Sequence, residues 1–112
     1  MGKRIYIAGP LSAETPELID VNVNVAMTAF HALAQEGHYP LCPHVSIFLD
    51  RMSISHMSYE DWLSYDFKWL EVSDAVYRMY GVSPGADREV QFAIERGIPV
   101  FYDMNQVIEA FQ

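Results

Sequence analysis

Changes of hydrophobic period divide the chain into elements. Arg4-Ile5-Tyr6-Ile7-Ala8 is a nearly unbroken apolar run, as suits a central strand buried on both faces of a parallel sheet. Gly9-Pro10 ends it, and Leu11 to Glu14 reads as a polar loop. Thr15 then supplies a hydroxyl cap, Pro16 the first helical position and Glu17 an acid in the first turn, so a helix should run from here to about Glu36 and stop at Gly37. Ile19, Val23, Ala26, Met27, Phe30, Leu33 and Ala34 form its apolar stripe. Leu18, Val21, Val25, Ala29 and Ala32 widen that stripe beyond what one sheet face needs. The excess predicts a second packing surface, most simply another copy of the chain.

Tyr39-Pro40-Leu41-Cys42-Pro43 reads as a short strand whose prolines suit a sheet edge, while residues 44–57 show no assignable period. Ser58 with Asp61 makes a capping box opening a helix to about Ser73, with Trp62, Asp66, Trp69, Leu70 and Ser73 on one face. Residues 75–80 are β-branched and aromatic enough for a strand, and Gly81-Val82-Ser83-Pro84-Gly85 breaks it. From Ala86 a helical period returns through Val90, Ala93 and Ile94 to Gly97. Residues 98–102 form the next strand, and Asp103 with Gln106 caps a final helix over 104–111. Alternating strands and helices predict one α/β domain over residues 1–112: a doubly wound, mainly parallel sheet of four to five strands in the flavodoxin-like (Rossmann-like) order 2-1-3-4, flanked by helices. That order puts a crevice between the ends of the first and third strands, at Gly9-Pro10 and Gly81 to Gly85. A dinucleotide fingerprint is absent, because Gly-Pro-Leu-Ser follows the first strand where a G-x-G-x-x-G turn would be needed.

Composition narrows the ligand. A net charge of −8 with no basic run opposes nucleic acid and favours a small molecule. The single cysteine, Cys42, suits a reducing compartment. With no signal-peptide core and no run able to span a bilayer, a cytoplasmic protein without membrane contact is expected. Cys42, His44, Asp50 and His56 share no recognised ligand spacing, so neither a metal nor a cofactor is expected. His31 and His38 read as surface residues and Trp69 as a core residue, while Trp62, near the loop, suits either the core or a base-stacking platform.

Two carboxylates stand out. Glu89 borders the helix face that meets the sheet, within what reads as the first helical turn, among small residues that leave space for a ligand. Asp66 lies on an apolar stripe, where a charge is costly without a partner or a chemical role. A favourable charge near a helix start and a structural hydrogen bond are the plain alternatives for Glu89 and Asp66 respectively.

In combination these stretches carry a likeness. Ile5-Tyr6-Ile7-Ala8-Gly9-Pro10, Asp66-Phe67-Lys68-Trp69-Leu70 with Ser73-Asp74-Ala75, and Ser83-x-Gly85-x-x-x-Glu89 resemble the nucleoside 2-deoxyribosyltransferase superfamily, in order and over nearly the whole chain. Within it the chain looks closest to a small bacterial and phage branch, and is similar to the 2′-deoxynucleoside 5′-phosphate N-hydrolases, which carry a His-Val pair like His44-Val45. The resemblance implies N-glycosidic bond cleavage, or deoxyribosyl transfer, on a deoxyribonucleoside or its 5′-monophosphate. Glu89 would be the nucleophile, and Asp66 would hold the sugar and assist proton transfer. It further implies that Tyr6, Gly9 and Pro10 line the base side; His44, which follows a strand end, reads as a substrate contact or as a hydrogen-bonded loop histidine. Ser83 and Gly85 would receive a 5′-hydroxyl or phosphate, Arg88 would offset the charge of Asp87, and a homodimer or higher homo-oligomer would share its sites. The monophosphate hydrolases usually have glycine where Asp87 stands, and the transferases proper are longer, which favours hydrolysis. A non-catalytic nucleotide-binding or regulatory module and an NAD-type glycohydrolase are the alternative readings.

Overall fold

In the computed structural model, which describes residues 2–52 and 57–112, the sheet is parallel and ordered β2-β1-β3-β4. The strands are β1 (Arg4–Ala8), β2 (Tyr39–Leu41), β3 (Ala75–Arg78) and β4 (Val100–Phe101). The helices are α1 (Pro16–Gln35), α2 (Ser46–Met52), α3 (Tyr59–Leu70), α4 (Pro84–Glu95) and α5 (Met104–Ala110). The predicted doubly wound α/β architecture and strand order are both present.

The side-chain period of β1 builds two cores. Ile5 and Ile7 point to one face and pack with Ala26, Ala29 and Leu33 of α1 and Val107 of α5. Tyr6 and Ala8 point to the other, where Leu70 of α3 and Ala86 and Ala93 of α4 cover them with Val76. Full burial of residues 5–8 explains why the run lacks polar alternation. Thr15 caps α1 through the Leu18 amide, and Ser58 and Asp61 form the expected reciprocal capping box on α3.

Several boundaries and environments differ from the sequence reading. β3 stops at Arg78, since β1 gives way to Gly9-Pro10 and the ladder ends with the Met79 amide donating to Ala8; Tyr80 is fully exposed. β4 is confined to Val100–Phe101, and α3 ends at Leu70 because the chain must turn into β3. Residues 43–52 are a 3-10 turn (Pro43–Val45) followed by α2, which buries none of its own residues and so has no readable stripe. His56 lies outside the described residues. His38 is buried rather than on the surface: its Nδ1 accepts the Lys3 amide and its ring meets Phe111 edge-on. Trp69 and Ile94 are about half exposed, and the core position assigned to Ile94 belongs to Glu89. On α1, Met27 and Ala34 face outward while Ala29 is buried. Leu18, Val21 and Val25, which share a face at helical spacing, remain about half exposed. Among the described residues no helix is long and apolar enough to cross a membrane.

Candidate active site

A crevice of about 660 Å³ opens at the carboxyl edge of the sheet, between the turn after β1 and the start of α4. Gly9 and Pro10 line one side, Val82 to Ala86 another, and Ile47, Met57, Tyr59 and Trp62 give it apolar and aromatic walls. Three acidic residues, Asp50, Asp66 and Glu89, are among those that line it.

Glu89 is only 6 % exposed. Ser83 fixes its position by capping α4: the Ser83 hydroxyl accepts the Ala86 amide at 3.1 Å, and Pro84 holds the first helical position. With α4 starting at Pro84, Glu89 sits in the second turn rather than the first. It lies beyond the free amides of the helix start and shares a buried face with Ala86, Val90 and Ala93. From α3, Asp66 reaches the same place. Between them stands Tyr6 of β1, wholly buried beneath the crevice, whose hydroxyl donates to Glu89 Oε2 and also meets Asp66.

Burial dominates the electrostatics. It pushes the Asp66 carboxyl up to about 7 and Glu89 up to about 8, the nearby Asp66 charge adding to the rise at Glu89. The Tyr6 hydroxyl is held well above its ordinary range by burial and by both carboxylates. Each acidic group faces the others, so the three titrate as one unit.

The structure brings together Asp66, Glu89, Gly9, Pro10, His44, Ser83 and Gly85 around the crevice. His44 is itself buried, and its Nε2 lies 3.1 Å from the carbonyl oxygens of both Gly9 and Pro10. Two acceptors require a donor, so Nε2 carries the proton. Burial lowers the imidazole below its usual value, keeping it neutral while it clamps the Gly9-Pro10 turn. Tyr6 does not border the open volume; it lies underneath and joins the two acids. Arg88 is not brought in either. It points out to Glu60 on α3, with Nη1 2.7 Å from a carboxylate oxygen. The neutralising partner of Asp87 is Arg78, a residue the sequence reading passed over. Among the described residues no three His, Cys, Asp or Glu side chains are grouped to hold a metal ion.

Sheet order and crevice together define a class: a parallel α/β protein carrying a carboxylate pair, one member buried and the other partly buried, at its topological switch point. Residues 3–103 match the family model described as a domain of unknown function, DUF7768, and the chain belongs to that family. No curated protein matches it in sequence. Among solved structures, the 2-deoxyribosyltransferase of the psychrotolerant bacterium Bacillus psychrosaccharolyticus, characterised as a biocatalyst for synthesis of antiviral and antitumoral nucleosides, is similar. The TM-score is 0.61 at 20 % identity, covering 94 % of this chain and 90 % of that one. At this identity the likeness is one of fold.

Proposed function

We propose that the crevice cleaves the N-glycosidic bond of a deoxyribonucleoside through a Glu89 nucleophile. One observation carries the reading: a single phenol joins the two carboxyls. The Tyr6 hydroxyl donates to Glu89, and its contact with Asp66 likewise favours an ionised carboxylate, so the two acids on either side of it draw on one proton between them. Catalysis uses the form in which Glu89 is ionised and Asp66 holds the shared proton, the division that glycoside chemistry requires. In the first step a Glu89 oxygen bonds to the anomeric carbon while the carbon–nitrogen bond breaks. Its electron pair leaves with the base, which takes the Asp66 proton. In the second, Asp66 accepts a proton from water as the water oxygen bonds to the anomeric carbon and frees Glu89. A second base in place of water would give transfer.

Charge favours a nucleoside over its 5′-monophosphate. None of the seven Lys and Arg residues is among the described residues that line the crevice, whereas Asp66 and Glu89 are. At the start of α4 the Ala86 amide is taken by the Ser83 hydroxyl and the Asp87 amide by the Ser83 carbonyl, while Pro84 has none. One remaining amide, that of Gly85, can receive a hydroxyl but offsets little of a phosphate dianion. The half-exposed Leu18, Val21 and Val25 face of α1 supports a homo-oligomer as the working form.

The test is chromatography of products from deoxyribonucleosides, their 5′-monophosphates, ribonucleosides and NAD, with wild type and Glu89→Ala side by side. Free base from deoxyribonucleosides, lost in the variant while its circular dichroism is unchanged, is the expected result. Thermal stabilisation by nucleotides without turnover would instead establish a binding module. Nicotinamide release would establish an NAD glycohydrolase.

A further inference from the structure

Arg78 closes β3 on the face shared by Tyr6, Ala8 and Val76: it pairs with Ala8 in register and stands two residues beyond Val76. A cation so deeply buried needs acceptors, and Arg78 has them. Its Nη1 donates to the Met79 carbonyl, and its Nη2 donates to the Gly81 carbonyl at 2.9 Å and to Asp87 Oδ1 at 3.1 Å. All three belong to the turn leaving β3 and the first helical turn of α4. That turn abuts the crevice, for a Cβ on Gly81 would lie 2.7 Å from the Pro10 ring. Arg78 itself borders a separate groove with Tyr80, Gln91 and Tyr102, outside the crevice.

We infer that Arg78 is a positioning residue for Glu89: its guanidinium fixes the first turn of α4 against the end of β3 and brings a positive charge to the sheet face that α4 covers. Among the described residues, the charged and titratable groups that act on Glu89 are Tyr6 from β1, Asp66 from α3 and Arg78 from β3, while Asp50 of α2 and His44 line the same crevice. Tyr6 and Arg78 favour the ionised form, while the Asp66 charge opposes it. Asp87, on the same helix, tempers Arg78 through their ion pair; its carboxylate is largely in water, so that tempering is weak.

This inference rests on the base-release reading, and its test separates the two. The pH dependence of kcat/KM for base release is measured for wild type, Arg78→Met, Arg78→Lys and Asp87→Asn. Ionisation of Glu89 sets the acid limb. Arg78→Met should move that limb up by about one pH unit. Asp87→Asn keeps an oxygen acceptor for Arg78 but removes the opposing charge, and should move the limb down by ~0.3 unit. Arg78→Lys retains the charge but not the planar fork; its limb should stay near the wild-type position while kcat falls about tenfold. Opposite movement in Arg78→Met and Asp87→Asn is what a brace without charge cannot produce. Should Arg78→Met fail to fold, the Lys and Asn variants decide by themselves. Active wild type with coincident acid limbs in every folded variant overturns the role of Arg78 alone, whereas wild type without turnover overturns the base-release reading first.

Discussion

Glu89→Gln should make the protein more stable at alkaline pH while abolishing base release. The folded state holds the Glu89 carboxyl at about 8, against an ordinary 4.5, because burial penalises its charge. A carboxyl whose value is raised by folding contributes stability that is complete below the unfolded value and lost as pH rises through the folded one. Between pH 5 and pH 8 the native chain therefore binds more protons than the unfolded chain, and unfolding free energy falls. At about 1.4 kcal/mol per pH unit, a rise from 4.5 to about 8 sets an upper limit on the order of 5 kcal/mol. Asp66, raised to about 7 in the same hollow, shares that effect, so Glu89 alone accounts for on the order of 2 kcal/mol. Glutamine keeps an oxygen for the Tyr6 hydroxyl and does not ionise.

Urea unfolding of both proteins at pH 5, 6.5 and 8 reads this directly. His44, lowered by burial, contributes with the opposite sign, since its stabilisation is lost as pH falls; it is present in both proteins and cancels in their difference. Relative to wild type, Glu89→Gln should gain on the order of 2 kcal/mol from pH 5 to pH 8. A wild-type-minus-variant difference that does not change with pH would refute the buried, reluctantly ionised nucleophile.

Tyr6→Phe keeps the ring that fills the core but removes the proton link between the acids; kcat for base release should fall roughly 10- to 100-fold with little change in unfolding midpoint, as steady-state kinetics and thermal unfolding would show. Gly81→Ala and Gly97→Ala both force a side chain onto a positive φ, of 123° and 71°. Gly97 has open space around it while Gly81 meets Pro10, so thermal unfolding should show a loss of about 1 kcal/mol at Gly97 and about twice that at Gly81.

What was legible in the chain follows from how local each cause is. The continuous run at residues 5–8, the Thr15 and Ser58 caps and the glycines at 37 and 97 act within a few residues of themselves, so β1, the starts of α1 and α3 and the ends of α1 and α4 could be read directly. Asp66 and Glu89 were visible because each is a charge on a packing face. Residues 46–52 gave no period because α2 lies on the surface with no buried stripe to leave one. His38 looked like a surface residue because its partners, the Lys3 amide and Phe111, stand at opposite ends of the chain.

Tyr6 and Arg78 show where pattern reading stops. In sequence, Tyr6 is one more apolar position in a buried strand, and Arg78 ends what reads as an ordinary strand. Their roles appear only when parallel pairing sets Tyr6 beside Val76 and Ala8 beside Arg78, laying a phenol and a guanidinium along one sheet face beneath α4. The proposed nucleophile, buried beside a second acid, ionises only with support, and helix-start amides cannot serve a residue in the second turn. The sheet provides that support from below, through one proton from β1 and one charge from β3. The acids on the helices and their support on the strands are thus parts of one device, assembled by strand order.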